Sequence, residues 1–152
     1  MYTREEASAL RQKFWTSFGQ YMAPVPSASL VKVNWINYKT GIKGISFKME
    51  ADKDSAAVAI EILLPNTMLQ HQYFAVFINF IKQFKELVGQ GWIMEKEYIN
   101  ESPHPISKLF IELKEVNIFN EDDWPAIISF LKKNMMAIDV FWNEFKPAFE
   151  TL

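Results

Sequence analysis

The chain has 152 residues, 49% of them hydrophobic and 22% charged. This excludes intrinsic disorder for the bulk of the chain and predicts a single domain over residues 1–152 that folds without a disulfide or metal staple. A net charge of −2 argues against a strongly basic nucleic-acid binder, and the absence of cysteine excludes thiolate catalysis, disulfides and Cys-based zinc or iron–sulfur sites.

The first residues carry charges of both signs and no apolar core, so they are not read as a signal peptide. Apolar stretches are broken by Lys, Gln or Glu well before a membrane span is reached. The expected location is cytoplasmic, with no membrane partner. Thr3-Arg4-Glu5-Glu6 fits a capping box, and Leu10, Phe14, Phe18 and Tyr21 follow at helical spacing, predicting a helix from about residue 4 to 22. Pro24 and Pro26 end it. Val31, Val33 and Trp35 then alternate with Lys32 and Asn34, which predicts a first strand from Leu30. Ile45, Phe47 and Met49 predict a second, and AAVAIEILL (56–64) a third.

A helix is predicted from about 68 to 88, capped by Asn66 or Thr67, with an apolar arc wider than one sheet contact needs. Gly89 and Gly91 stop it. Residues 92–98 and 106–116 read as a fourth and a fifth strand. Asn120 caps a last segment through Pro147, either one long helix or two with a bend near Asn134. The predicted class is α+β: a mainly antiparallel five-stranded sheet with helices packed on it, in the order α-β-β-β-α-β-β-α.

Chemistry-bearing motifs are few. His71 and His104 lack metal-ligand spacing and read as solvated side chains. No GxSxG, GxGxxG or GxxxxGK[ST] occurs, so neither a serine nucleophile elbow nor a nucleotide cradle is expected. No metal and no cofactor is expected. Carboxylates leave one catalytic alternative, a small metal-dependent nuclease of restriction-endonuclease-like architecture using Glu50, Glu61, Glu112 and Lys114, because residues two apart on a strand share a face. Glu61 lacks the lysine that such a site wants two residues on, where Leu63 stands. A weak nucleic-acid-binding candidate interleaves Lys32, Lys39, Lys43 and Lys48 with Trp35 and Tyr38. Surplus apolar stripes on helix 68–88 and on the C-terminal helix (Met135, Phe141, Trp142, Phe149) are expected to meet each other or, by preference, to form a homodimer interface.

The blocks FWTSFGQYM (14–22), VNWINYKTGIKGISFKMEAD (33–52), AIEI (59–62) and NEDDWPAIISFLKK (120–133) together resemble a bacterial family of unknown function. The resemblance spans nearly the whole chain. It implies a module found as a short stand-alone protein and as the C-terminal part of longer chains with a predicted nuclease-like domain, which points to nucleic-acid metabolism or defence. It transfers no catalytic residue. The expected function is a non-enzymatic interaction or accessory module.

Overall fold

A computed structural model describes residues 2–152. Helix α1 spans Arg4–Met22, and its capping box forms as predicted: Glu6 N–H donates to the Thr3 hydroxyl (3.1 Å) and Thr3 N–H to Glu6 (3.2 Å). Strands β1 (Ile45–Ala51) and β2 (Ser55–Ile62) make a hairpin. Helices α2 (Thr67–Asn79) and α3 (Ile81–Val88) follow, then a second hairpin of β3 (Ile93–Tyr98) and β4 (Ile106–Lys114). A 3-10 turn at Glu121–Asp123 leads into α4 (Trp124–Phe145), and α5 (Pro147–Glu150) follows. β2 pairs antiparallel with β4, giving one four-stranded antiparallel sheet in the order β1-β2-β4-β3.

The class is α+β, but the sheet has four strands rather than five, and the order is α-β-β-α-α-β-β-α-α. The missing strand is the one predicted from Leu30. The backbone there turns locally instead of pairing in a ladder. Ser27 N–H donates to the Val31 carbonyl (2.9 Å) and Leu30 N–H to the Ser27 carbonyl (2.8 Å), closing a turn. The Asn34 side chain accepts from the N–H of Ile36 and of Asn37 (both 3.1 Å). An asparagine that captures nearby backbone donors competes with strand pairing. The alternation of Val33 and Trp35 serves inward packing instead.

The helix expected over 68–88 is broken at Phe80, whose backbone leaves the helical region at φ −103°, ψ 23°. The break lets α2 lie against β2, β4 and α5 while α3 lies against α4. The wide apolar arc is thereby divided between two directions. Phe77 packs on Phe149 (ring centroids 4.7 Å), Phe80 on Phe145 (4.7 Å) and Phe84 edge-on to Phe141 (5.1 Å). Met135, Phe141, Trp142 and Phe149 are all buried. The two stripes satisfy each other within one chain, which removes the ground for a homodimer built on them. α4 runs unbroken through Asn134. The Asn134 amide donates to the Phe130 carbonyl one turn back (2.9 Å), and the break falls at Pro147, whose missing N–H cannot extend the helix.

The core lies between the sheet and α4. Alternation along β2 turns Ala56, Val58, Ile60 and Ile62 inward, each at most 1% exposed. They meet Phe14 and Phe18 of α1, Ile127, Leu131 and Ile138 of α4, and Phe77 of α2 in one buried cluster. The other sheet face carries Ser46, Lys48, Glu50, Ala57, Glu61, Lys108 and Glu112 and has no helix over it. Among the described residues no helix is long and apolar enough to cross a membrane.

Candidate functional site

Residues 23–44 form no helix or strand and run as a strap from α1 to β1. Connections this long are uncommon in compact folds unless they carry function or are disordered. This one is pinned by side chains. The Trp35 indole N–H donates to the Val25 carbonyl (2.9 Å), the Trp142 indole N–H to the Thr40 carbonyl (2.8 Å), and the Thr40 hydroxyl to the Ile45 carbonyl (2.8 Å).

The strongest anchor is Asp139 of α4, only 2% exposed and, among the described residues, without a cationic partner. Its carboxylate accepts from the Ser27 hydroxyl (2.9 Å), Ala28 N–H (2.7 Å), the Tyr38 hydroxyl and the Asn143 amide (3.1 Å). Three of these four donors lie on the strap. Burial pushes the Tyr38 phenol well above the usual tyrosine value, and the hydrogen bond to Asp139 and its negative charge push the same way. Tyr38 therefore stays a donor. Nothing in the cluster looks like an activated nucleophile: Ser27 is buried, and its partners are a carboxylate, an amide and a neighbouring serine. The arrangement holds the strap on α4.

Between the strap and α1 runs an open groove of about 840 Å³. Its apolar lining comes from Trp15, Val33, Trp35 and Ile36, and its polar edge from Gln12, Thr16 and Gln20 on α1 and Lys32 and Asn34 on the strap. Ile36 of the strap packs over Gly19 of the helix: a Cβ there would lie 3.1 Å from Ile36 Cδ1. On the strap's other side, a cleft of about 430 Å³ is lined by Ser29, Tyr38, Lys39, Thr40, Asn143 and Lys146. The strap turns at Leu30, which is held at φ 67° and is 85% exposed. That conformation costs a non-glycine residue roughly 1–2 kcal/mol.

The sequence-predicted residues are dispersed over several surfaces. Trp35 is 3% exposed and Tyr38 is committed to Asp139, so neither ring is presented for base stacking. Lys32 edges the groove, Lys39 edges the cleft, Lys43 is exposed before β1, and Lys48 lies on the open sheet face, where it reaches Glu61 (3.7 Å). Glu50 and Glu112 face each other across Ala57 of β2, two strand spacings or roughly 10 Å apart at Cα. Glu61 stands four residues further along β2, roughly 13 Å away. Glu112 and Lys114 also border a polar cleft of about 540 Å³ with Asp54 and Asp123. Among the described residues, no three His, Cys, Asp or Glu side chains come together as a metal-holding group. The histidines are less free than expected: His104 meets the buried Gln70 (3.2 Å) and His71 meets Glu97 (3.6 Å).

Sequence reasoning missed Asp139, Ser27 and Asn143. A signal for Asp139 was present, since it interrupts the inward arc of Met135, Ile138 and Trp142 with a charge. No curated protein and no solved structure matches the chain. A family model does match, over residues 10–146, a span that takes in α1 from Leu10, the strap, the sheet and α4. The chain therefore belongs to the family described as "Domain of unknown function (DUF4268)".

Proposed function

We propose that the chain is a non-enzymatic accessory module, one folding unit over residues 1–152, that docks a partner protein in the groove between α1 and the strap. The observation that carries this reading is an open, mainly apolar groove of about 840 Å³ whose strap wall, Lys32 to Ile36, lies in the chain between Ser27–Ala28 and Tyr38, all held by Asp139. Apolar surface gathered in a groove is a recurrent mark of interaction sites, and a wall ordered beforehand lowers the entropy cost of binding. The partner class follows from the sequence resemblance, whose longer chains carry a predicted nuclease-like domain. The proposed partner is a nuclease-like protein of the bacterial cytoplasm, acting in nucleic-acid metabolism or defence.

The test is site-specific photo-crosslinking in cells, with a benzophenone side chain at position 36 in the groove or at position 95 on the opposite, open face of the sheet. Capture of a protein with a nuclease-like domain from position 36 and not from position 95 is the expected result. Capture from position 95 alone, or from neither, overturns the reading.

A further inference from the structure

The groove's chemistry narrows what it takes. Its lining holds one cation, Lys32, and no acid. Its polar edge consists of side chains that both donate and accept: the amides of Gln12, Gln20 and Asn34 and the hydroxyl of Thr16. Asn34 already spends its carbonyl oxygen on Ile36 and Asn37, so what it has left for a ligand is its NH₂. A helical ligand satisfies its own backbone and has no use for such an edge. An extended peptide satisfies none of its own backbone and turns the N–H and C=O of every second residue to one edge, so it does have a use for it. Gln12, Thr16 and Gln20 stand one turn apart along one line of α1, so the polar edge runs parallel to the groove. From Gln12 to Ala23 the groove follows roughly 16 Å of helix, the reach of about five extended residues. Trp15, Val33 and Ile36, the accessible apolar residues of the lining, would receive alternate side chains of such a segment, while the intervening ones point to solvent.

We infer that the groove recognises an extended segment of the partner protein with alternating apolar residues and an acidic side chain set opposite Lys32. This rests on the docking reading above and specifies its ligand. The groove supplies main-chain contacts through the amide edge and register through the apolar floor. Lys32 chooses the sign of the flanking charge, because an unpaired cation at the rim favours a carboxylate and repels a second cation.

The experiment is selection of random heptapeptides displayed on phage against the purified chain, followed by titration of the selected peptides by tryptophan fluorescence. Trp15, half-buried in the groove lining, reports occupancy. Expected peptides alternate apolar residues and carry Asp or Glu. Thr16→Trp, at an exposed position on the groove's edge, should abolish binding while leaving the melting curve unchanged. Lys32→Glu should weaken acidic peptides by about three- to tenfold and, used as bait, should select Lys- or Arg-bearing peptides instead. N-methylation of alternate peptide amides should abolish binding in one phase and spare it in the other.

Selection of peptides indifferent to both Thr16→Trp and Lys32→Glu, selection of helical peptides insensitive to N-methylation, or no selection at all overturns the inference. If position 36 still captures a nuclease-like protein when no peptide is selected, the docking reading stands and only the extended-segment inference falls. If neither succeeds, both fall.

Discussion

Asp139→Asn is the substitution that probes the strap most sharply. The asparagine keeps the shape of the side chain and one accepting oxygen, but it turns the other oxygen into an NH₂ that faces donors. Four donors converge on the native carboxylate: Ser27, Ala28, Tyr38 and Asn143. One oxygen serves Ala28 N–H at 2.7 Å, and the other serves Tyr38 and Asn143. Whichever way the amide turns, at least one of these donors faces another donor. Hydrogen bonds to a charged acceptor are worth about 1.5–3 kcal/mol each, and a buried donor left alone costs about 1–3 kcal/mol. Removing a buried charge that meets no cation among the described residues returns part of that. The balance is a loss of about 2–4 kcal/mol. For a chain of this length that corresponds to a fall in melting temperature of roughly 5–15 °C.

The strap should loosen before the sheet does. The assay is therefore thermal and urea unfolding, followed by circular dichroism and by tryptophan fluorescence, since Trp35 is tied to Val25 within the strap. A red-shifted emission at temperatures where the helical signal is intact is the expected signature. A variant as stable as the native chain, with unchanged emission, would refute the assignment of Asp139 as the strap's anchor.

The Tyr38 phenol titrates higher in the folded chain than in the unfolded one, so its contribution to stability is complete below the unfolded value near pH 10 and fades as pH rises above it. Melting temperature should therefore fall more steeply between pH 9 and 11 in the native chain than in Tyr38→Phe, and parallel curves would contradict this. Gly19→Ala should stabilise the chain by about 0.5–1 kcal/mol, because the contact it creates is with the flexible end of Ile36 while the helix gains a better former; a loss of stability in urea melts would show that the helix–strap approach tolerates no Cβ. Incubation with Mg²⁺ or Mn²⁺ should leave DNA and RNA uncut, given the spread of Glu50, Glu61 and Glu112 over the sheet face, and cleavage abolished by Glu112→Ala would restore the nuclease alternative.

Local chemistry made much of the fold legible. The Thr3–Glu6 capping box placed the start of α1, and the alternation of Ile45, Phe47 and Met49 placed β1. What failed was decided by tertiary context. Val31, Val33 and Trp35 alternate like a strand, but the Ser27–Val31 turn bends the chain at its start and Asn34 captures the N–H of Ile36 and Asn37 at its end. The apolar arc of 68–88 correctly signalled more than one packing direction. The break at Phe80, which lets Phe77, Phe80 and Phe84 reach α4, Phe145 and α5, has no proline or glycine to announce it. The candidate site was least legible, because the groove is made by two segments that meet only in the folded chain. Lys32 and Trp35 were singled out, but for base and phosphate contacts rather than as parts of a groove. Asp139 was passed over as one charge in an apolar helix.

The central claim, that the face formed by α1 and the strap is the binding face, is tested most directly by hydrogen exchange. The purified chain would be compared free and bound to the nuclease-like protein captured by the crosslink, with exchange read segment by segment. New protection confined to residues 12–23 and 32–36 is the predicted result. Protection over β1 and β4, with the strap unchanged, would contradict it and move the interface to the open face of the sheet.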